Sequence, residues 1–447
     1  MIEFFLAAVG KFNALVAYLL EEGGLIEATL KFIPFVLFFE LPLMLLILFG
    51  IMRYAVRRYF ARSQAASNYF PAVSCVVSCY AEGEQIVHTI RSLATQLYAG
   101  PIEIIALVDG AAANVDTYRM VQNLVPQVAR MANRRLRVLP KWQRGGRVSS
   151  SNAGMALANG DVIISMDADT TVEHDAIYRI TRHFADPKVV AVACSLRVAN
   201  AGVNPLTALQ ALEYMLSITA GRTGLSELDA VNNISGAMGA FRRDFLRHVG
   251  GWDSGSAEDI DLTTRIKAYF GRHPDLRIVF DPEAVGRTIV PETLGAFLRQ
   301  RLRWDGDLFY IFVRKYWRIF SPRLLGWRNF IIACWSNLFF QLLMPFAILI
   351  YTGYIFLTYP PATALAVLGL VYLFYLAVAV IWYLTYMLVL SDRPGEDWPF
   401  VFLLPFYPFY TFLGRCWNAV AILAEGLAKT HLDSTMAPWW VLRRTKF

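Results

Sequence analysis

Charge is scarce in this chain. Of its 447 residues only 17% are Asp, Glu, Lys or Arg, against 56% hydrophobic, and the mean hydropathy is +0.42. Soluble globular proteins carry roughly a quarter charged residues, so a single soluble fold is excluded, yet the charge is too high for an all-membrane protein. Cysteine is sparse as well. Cys75, Cys79, Cys194, Cys334 and Cys416 form no CxxC pair and lie in apolar segments, which reads as buried small hydrophobes in a reducing compartment. The six histidines show neither HxxxH nor HExxH spacing, so zinc chemistry is not indicated. There is no internal repeat and no low-complexity tract. The apolar start, Met1–Leu20, contains Glu3 and Lys11 and lacks the small-residue cleavage site of a signal peptide; it reads as a weak or interfacial span.

What charge there is has a pattern. The net charge is +7. Arg53, Arg57, Arg58 and Arg62 directly follow the apolar run Ile33–Met52, and Arg299, Arg301, Arg303, Arg314, Lys315, Arg318, Arg323 and Arg328 precede the run Ile331–Leu357. Basic residues beside spans mark the cytoplasmic side, and this placement argues against nucleic acid as the partner. Ile33–Met52 is long enough to cross a hydrocarbon core of roughly 30 Å, with Glu40, Pro34 and Pro42 as sources of a kink. Ile331–Leu357 and Ala362–Leu390 are firmer spans. Pro399–Leu413 holds Pro405 and Pro408 and is either a broken span reaching Ala424 or a re-entrant segment. The resulting division is a membrane segment with a basic boundary (1–62), a polar middle (71–305), interfacial helices (306–330), a second membrane region (331–424) and a basic tail (425–447).

The middle reads as α/β. Ala72–Ser78, Ile102–Val108 and Val162–Met166 are short apolar runs rich in β-branched residues, separated by helix-like stretches at Gly83–Gln96 and Val148–Ala158. This alternation predicts a mostly parallel sheet with helices on both faces. Asp109 follows the second strand, and Asp167 and Asp169 follow the third. Open parallel sheets bind ligands at the carboxyl ends of their strands, so two strands deliver carboxylates to one edge. On an extended segment Asp167 and Asp169 point to opposite sides; one suits a hard cation and the other a sugar or ribose hydroxyl. A solvated turn would look the same from this triplet alone.

Two further groups follow. Ser235-Gly-Ala-Met-Gly-Ala-Phe-Arg-Arg243 offers glycines for close backbone approach, and Glu258-Asp259 heads a helix predicted at Asp259–Tyr269. Helix capping explains those carboxylates as well as a general base does. Gln300-Arg-Leu-Arg-Trp304 lies at the membrane boundary, and a helix puts Gln300, Arg303 and Trp304 on one face. Arginine suits a diphosphate and Trp suits the flat side of a sugar, although a basic aromatic interfacial helix has the same composition.

In this order the motifs resemble those of the family-2 processive membrane glycosyltransferases, the cellulose, chitin and hyaluronan synthase group: D (Asp109), DxD (Asp167, Asp169), ED (Glu258, Asp259) and QxxRW (Gln300, Arg303, Trp304). Ile234-Ser-Gly-Ala, Glu258-Asp-Ile-Asp261 and Pro291-Glu-Thr-Leu294 most resemble bacterial poly-β-1,6-N-acetylglucosamine synthases. The resemblance implies a GT-A-like nucleotide-sugar transferase domain inserted between transmembrane helices, in a multi-pass protein of the bacterial inner membrane with its catalytic domain in the cytoplasm. It implies that Asp109, Tyr80 and Glu82 bind the uracil end of a UDP-sugar, that Asp167 contacts the donor, that Asp169 holds Mg2+ or Mn2+ and that Arg147 adds charge where Lys is common. Asp259, with Glu258 beside it, would be the base, Arg303 would stabilise departing UDP, and Gln300 and Trp304 would line the acceptor site. The implied product is a β-linked exopolysaccharide, best from UDP-N-acetylglucosamine, passed across the membrane along aromatics such as Trp335, Phe339, Phe340 and Trp382. A small membrane subunit is an implied partner. Ala81 in place of the usual Asn, Gly110 after Asp109, and Ala257 before Glu258 depart from the pattern and leave the sugar open. A single-addition transferase acting on a lipid and a non-catalytic nucleotide-sugar sensor are the competing readings.

Overall fold

The computed structural model describes residues 24–61, 68–253 and 257–432, with isolated positions among the first 18. Most of Met1–Leu20, together with Arg62, Arg443, Arg444 and Lys446, lies outside the described residues.

Among the described residues three helices are long and apolar enough to cross a membrane: α1 (Leu25–Phe60), α11 (Trp327–Thr358) and α12 (Pro361–Leu390). Between α1 and α11 lies one eight-stranded mixed sheet, in the order β3-β2-β1-β4-β7-β6-β8-β5. β1 (Val73–Cys79), β2 (Ile102–Asp109), β3 (Arg134–Lys141) and β4 (Val162–Asp167) are mutually parallel; β7 (Met238–Arg242) is antiparallel to both β4 and β6 (Val189–Val198). β8 (Arg277–Thr288) runs parallel to β6, and the short β5 (Thr171–Val172) pairs antiparallel with it. The three strands expected from sequence are present. They are mostly apolar because both faces are covered: one core packs Val73, Cys75, Val77, Ile104 and Ile164 under α2 (Gln85–Ala94), and the other packs Val76, Ile105, Leu107 and Ile163 towards α4 (Gly146–Leu157).

α1 is joined to the domain at backbone distance. It packs on α7 (Arg222–Glu227), where Gly50 and Gly224 face each other and a Cβ on either would overlap the opposite chain's backbone. Just beyond, Arg57 and Arg53 pair with the buried carboxylate of Glu227, the latter at 3.7 Å. At the far end of α1, Lys31 donates to the hydroxyls of Tyr354 (2.9 Å) and Tyr359 (3.2 Å) near the α11–α12 turn. The loop after α12 comes back to the sheet: Arg197 on β6 pairs with Asp392 at 2.6 Å and Asp397 at 3.0 Å, and Arg393 reaches Glu173 at 2.8 Å.

The region Pro399–Ala424 is a 3-10 segment, Trp398–Phe406, followed by helix α13 (Tyr407–Ala428). α13 lies side by side with α10 (Leu294–Phe309), in contact from Phe297 with Tyr410 to Gly306 with Glu425. Trp335 and Phe339 face α1: the Trp335 indole donates to the Phe39 carbonyl at 3.0 Å, and Phe339 stacks on Phe39 at 4.3 Å.

Candidate active site

Asp109 ends β2 and is almost fully buried. Its carboxylate accepts from Lys141 Nζ (2.8 Å), Gly145 N (2.9 Å) and Gly146 N (2.8 Å). Lys141 is the last residue of the neighbouring β3, and the two amides open α4, where unpaired N–H groups favour an anion. Tyr80, just past β1, is exposed, with the Arg144 guanidinium 4.1 Å above its ring. Two strand ends and a helix start thus form a pocket floor with one aromatic–cation sandwich beside it.

The second cluster centres on Arg147, one residue into α4. Its guanidinium pairs with Asp167, with Glu258 Oε1 at 2.7 Å and with the Gly236 carbonyl. Arg147 is held firmly protonated by these carboxylates even though burial opposes its charge. Gly236 lies tight against this cluster, since a Cβ would sit 3.0 Å from both Arg147 and Glu258 and would have to push them aside. Its N–H donates to Asp259 Oδ2 at 3.2 Å, and Asn233 donates to the same oxygen at 3.1 Å. α9 starts at Glu258 and ends at Lys267. Glu258 faces inward to Arg147, and Asp259 is half-buried with its second oxygen on Ile260 N.

Asp167 and Asp169 do not share the extended segment that the sequence led us to expect. β4 ends at Asp167, and Ala168–Asp169 form a turn closed by Thr170 N on the Asp167 carbonyl at 3.3 Å. The tight turn keeps the carboxylates together. Burial, then the Asp167 charge, pushes Asp169 up to about 6. Burial also pushes Glu82 up to about 7, with the charges of Asp169 and Asp167 adding to it. Glu258 stands at about 7 because of its burial, although Arg147 pulls it down. This is a concentration of hard oxygen donors at one place. Among the described residues no three His, Cys, Asp or Glu side chains are grouped to hold an ion alone, so a cation here would draw ligands from its substrate.

The third group is on α10, with Gln300, Arg303 and Trp304 one helical turn apart, as expected. Gln300 Oε1 is buried without a hydrogen-bond donor. Trp304 is half-buried, with the Arg301 guanidinium 5.1 Å from its ring centre. Burial pushes the hydroxyl of Tyr214, on the segment continuing from α6 (Pro205–Glu213), up to about 12, with the Arg301 charge opposing the shift and the Asp169 charge adding to it. Sequence reasoning missed Lys141, Arg144, Asn233 and Glu213. Only Lys141 carried a signal, as a charge closing a strand next to Asp109.

A mixed sheet with acidic residues at the ends of its parallel strands, and a helix start bearing Glu-Asp opposite them, defines a GT-A-like nucleotide-sugar transferase fold. Residues 71–306 match the family described as glycosyltransferase like family 2, and the chain belongs to that family. It is similar to the poly-beta-1,6-N-acetyl-D-glucosamine synthases of Staphylococcus epidermidis (27% identity over 57% of this chain) and Staphylococcus aureus strain COL (30% over 52%). It is also similar to an N-acetylglucosaminyltransferase of Rhizobium sp. strain N33 (28% over 54%). The chain spans only a little over half of these curated relatives, 58%, 53% and 54% of their lengths. Among solved structures, a mannosyltransferase from Pyrobaculum calidifontis shares the fold at a TM-score of 0.51 and 19% identity, covering 87% of this chain and 98% of that one.

Proposed function

We propose that this chain is a processive, inverting glycosyltransferase that polymerises a UDP-sugar, best UDP-N-acetylglucosamine, into a β-linked exopolysaccharide at the cytoplasmic face of a membrane. The observation that carries this reading is the Arg147-centred cluster, which draws the DxD and ED carboxylates around a single cation. Asp109 and Tyr80, with Arg144, suit a uracil ring; Asp167 and Glu82 suit the ribose and sugar. Asp169 would hold a divalent ion, Mg2+ or Mn2+, whose remaining ligands would come from the substrate diphosphate. When bound, that ion would neutralise charge on the diphosphate.

In the reaction an acceptor hydroxyl oxygen attacks the anomeric carbon opposite UDP. The new C–O bond forms as the bond to the diphosphate breaks, and the hydroxyl proton passes to the Asp259 carboxylate. Gly236 N–H and Asn233 aim that carboxylate, while Arg303 meets charge developing on the leaving group. Gln300 and Trp304 hold the acceptor; the undonated Gln300 oxygen supports this, since a sugar hydroxyl would satisfy it. In this reading residues 71–305 lie on the inner side, with the α12–α13 loop beside them and the Lys31–Tyr359 end outside.

The test is to incubate purified, membrane-embedded protein with a panel of UDP-sugars and to size the product. Long polymer from UDP-N-acetylglucosamine is expected. A single transferred sugar on lipid, or no transfer from any donor, would overturn the polymerase reading.

A further inference from the structure

Arg301 sits inside the QxxRW motif without belonging to it. Its guanidinium donates to both carboxylate oxygens of Glu213, at 2.8 and 2.6 Å. Glu213 also accepts from the Tyr410 hydroxyl at 2.5 Å. The same guanidinium lies 5.1 Å from the ring centres of both Phe297 and Trp304, residues one turn before and after it on the helix. Glu213 ends α6 in the α/β domain, Arg301 is on α10 and Tyr410 opens α13. One carboxylate therefore joins three elements, and the cation it fixes is a wall of the space that Trp304 occupies.

We propose that Arg301, clamped by Glu213 and Tyr410, is a positioning residue that holds the Trp304 indole flat for sugar already added, so that chain retention depends on it and donor use does not. This rests on the polymerase reading above. A forked guanidinium–carboxylate pair fixes the plane of the cation, and a partly desolvated guanidinium attracts the indole face beside it. Without that wall the indole gains rotamers, and the face a pyranose needs is presented for only part of the time. The donor pocket, built on β1, β2, β4 and α4, has no share in this clamp.

The experiment compares the full chain with Arg301→Gln, Arg301→Lys and Tyr410→Phe, in membranes with UDP-N-acetylglucosamine, reading product length, initial rate and donor KM. Arg301→Gln is expected to shorten the product about fivefold, the dwell lost with about 1 kcal/mol of contact, at unchanged donor KM. Arg301→Lys, which keeps the ion pair without the fork, should recover part of the length, and Tyr410→Phe should shorten it more mildly. Full-length product from Arg301→Gln, or a donor KM that rises as length falls, would overturn the proposal. If Arg301→Gln fails to insert, full-length product from both other variants overturns it equally. A parent that adds one sugar only would remove the polymerase reading itself, and this shows in the parent alone.

Discussion

Single residues carry the sharpest tests. Asp259→Asn keeps shape and the contacts from Gly236 and Asn233 but cannot take a proton near neutrality. Polymer synthesis should fall by at least ~10²-fold, the usual share of a general base, with UDP binding retained; near-parental turnover would remove Asp259 as the base. Lys267, at the other end of α9, is a different case. It is buried, donates to the Val231 carbonyl at 2.8 Å, and is pushed down to about 7, first by burial and then by Arg328. Between pH 7 and its ordinary value of 10.5 the unfolded chain binds the proton that the folded one has lost, so stability rises with pH across that window. Lys267→Met should therefore raise the melting temperature at pH 7 by several degrees and gain less at pH 9.5. A larger gain at the higher pH would contradict the assignment. Of the site, Asp109, Asp167 and Glu258 were legible because each stands at a strand or helix end, and the QxxRW residues because their spacing puts them on one face of a helix. Asn233 and Glu213 were not, since nothing local marks a side chain whose partner lies 26 or 88 residues away.

Among the elements, legibility followed burial. β1, β2 and β4 announced themselves as short, largely apolar runs rich in β-branched residues. β3, Arg134-Arg-Leu-Arg-Val-Leu-Pro-Lys141, was hidden because an edge strand can carry charge and proline where no neighbour needs its N–H. β6 has the same apolar signal as β1 and could have been read. Pro399–Ala424 shows the opposite problem. Composition allowed either a broken span or a re-entrant segment, and no local signal showed that α13 would lie along α10. The α1–α7 crossing is the element contact most open to test. Gly224→Ala would drive a methyl into the Ile47 side chain and carbonyl, a clash that α1 can relieve only by moving off the domain. It should cost about 1–3 kcal/mol as overpacking, read as lower yield of inserted, detergent-stable protein. A parental yield and melting curve would show that the helices have room.

At the scale of the whole molecule, orientation is the first thing to establish. A cysteine at exposed Ser149, in a background without the five native thiols, should resist a membrane-impermeant maleimide in intact cells and label after lysis. Labelling without lysis would invert the topology.

The ties between sheet and spans also decide whether the transferase fold can be taken out of its membrane. Lys315, on the segment leading to α11, bridges Asp253 and the fully buried Asp261 at 2.7 and 2.6 Å. Stripping one partner from such a buried pair costs about 3–5 kcal/mol, a large part of the 5–15 kcal/mol that holds an ordinary domain folded. A fragment of residues 71–306 would lose Lys315 beneath α9, Arg393 on Glu173 and both arginines on Glu227 at once. The spans are therefore not a tether on a portable enzyme. They supply the counter-charges of its interior, and detergent or nanodisc, not truncation, is the way to handle it.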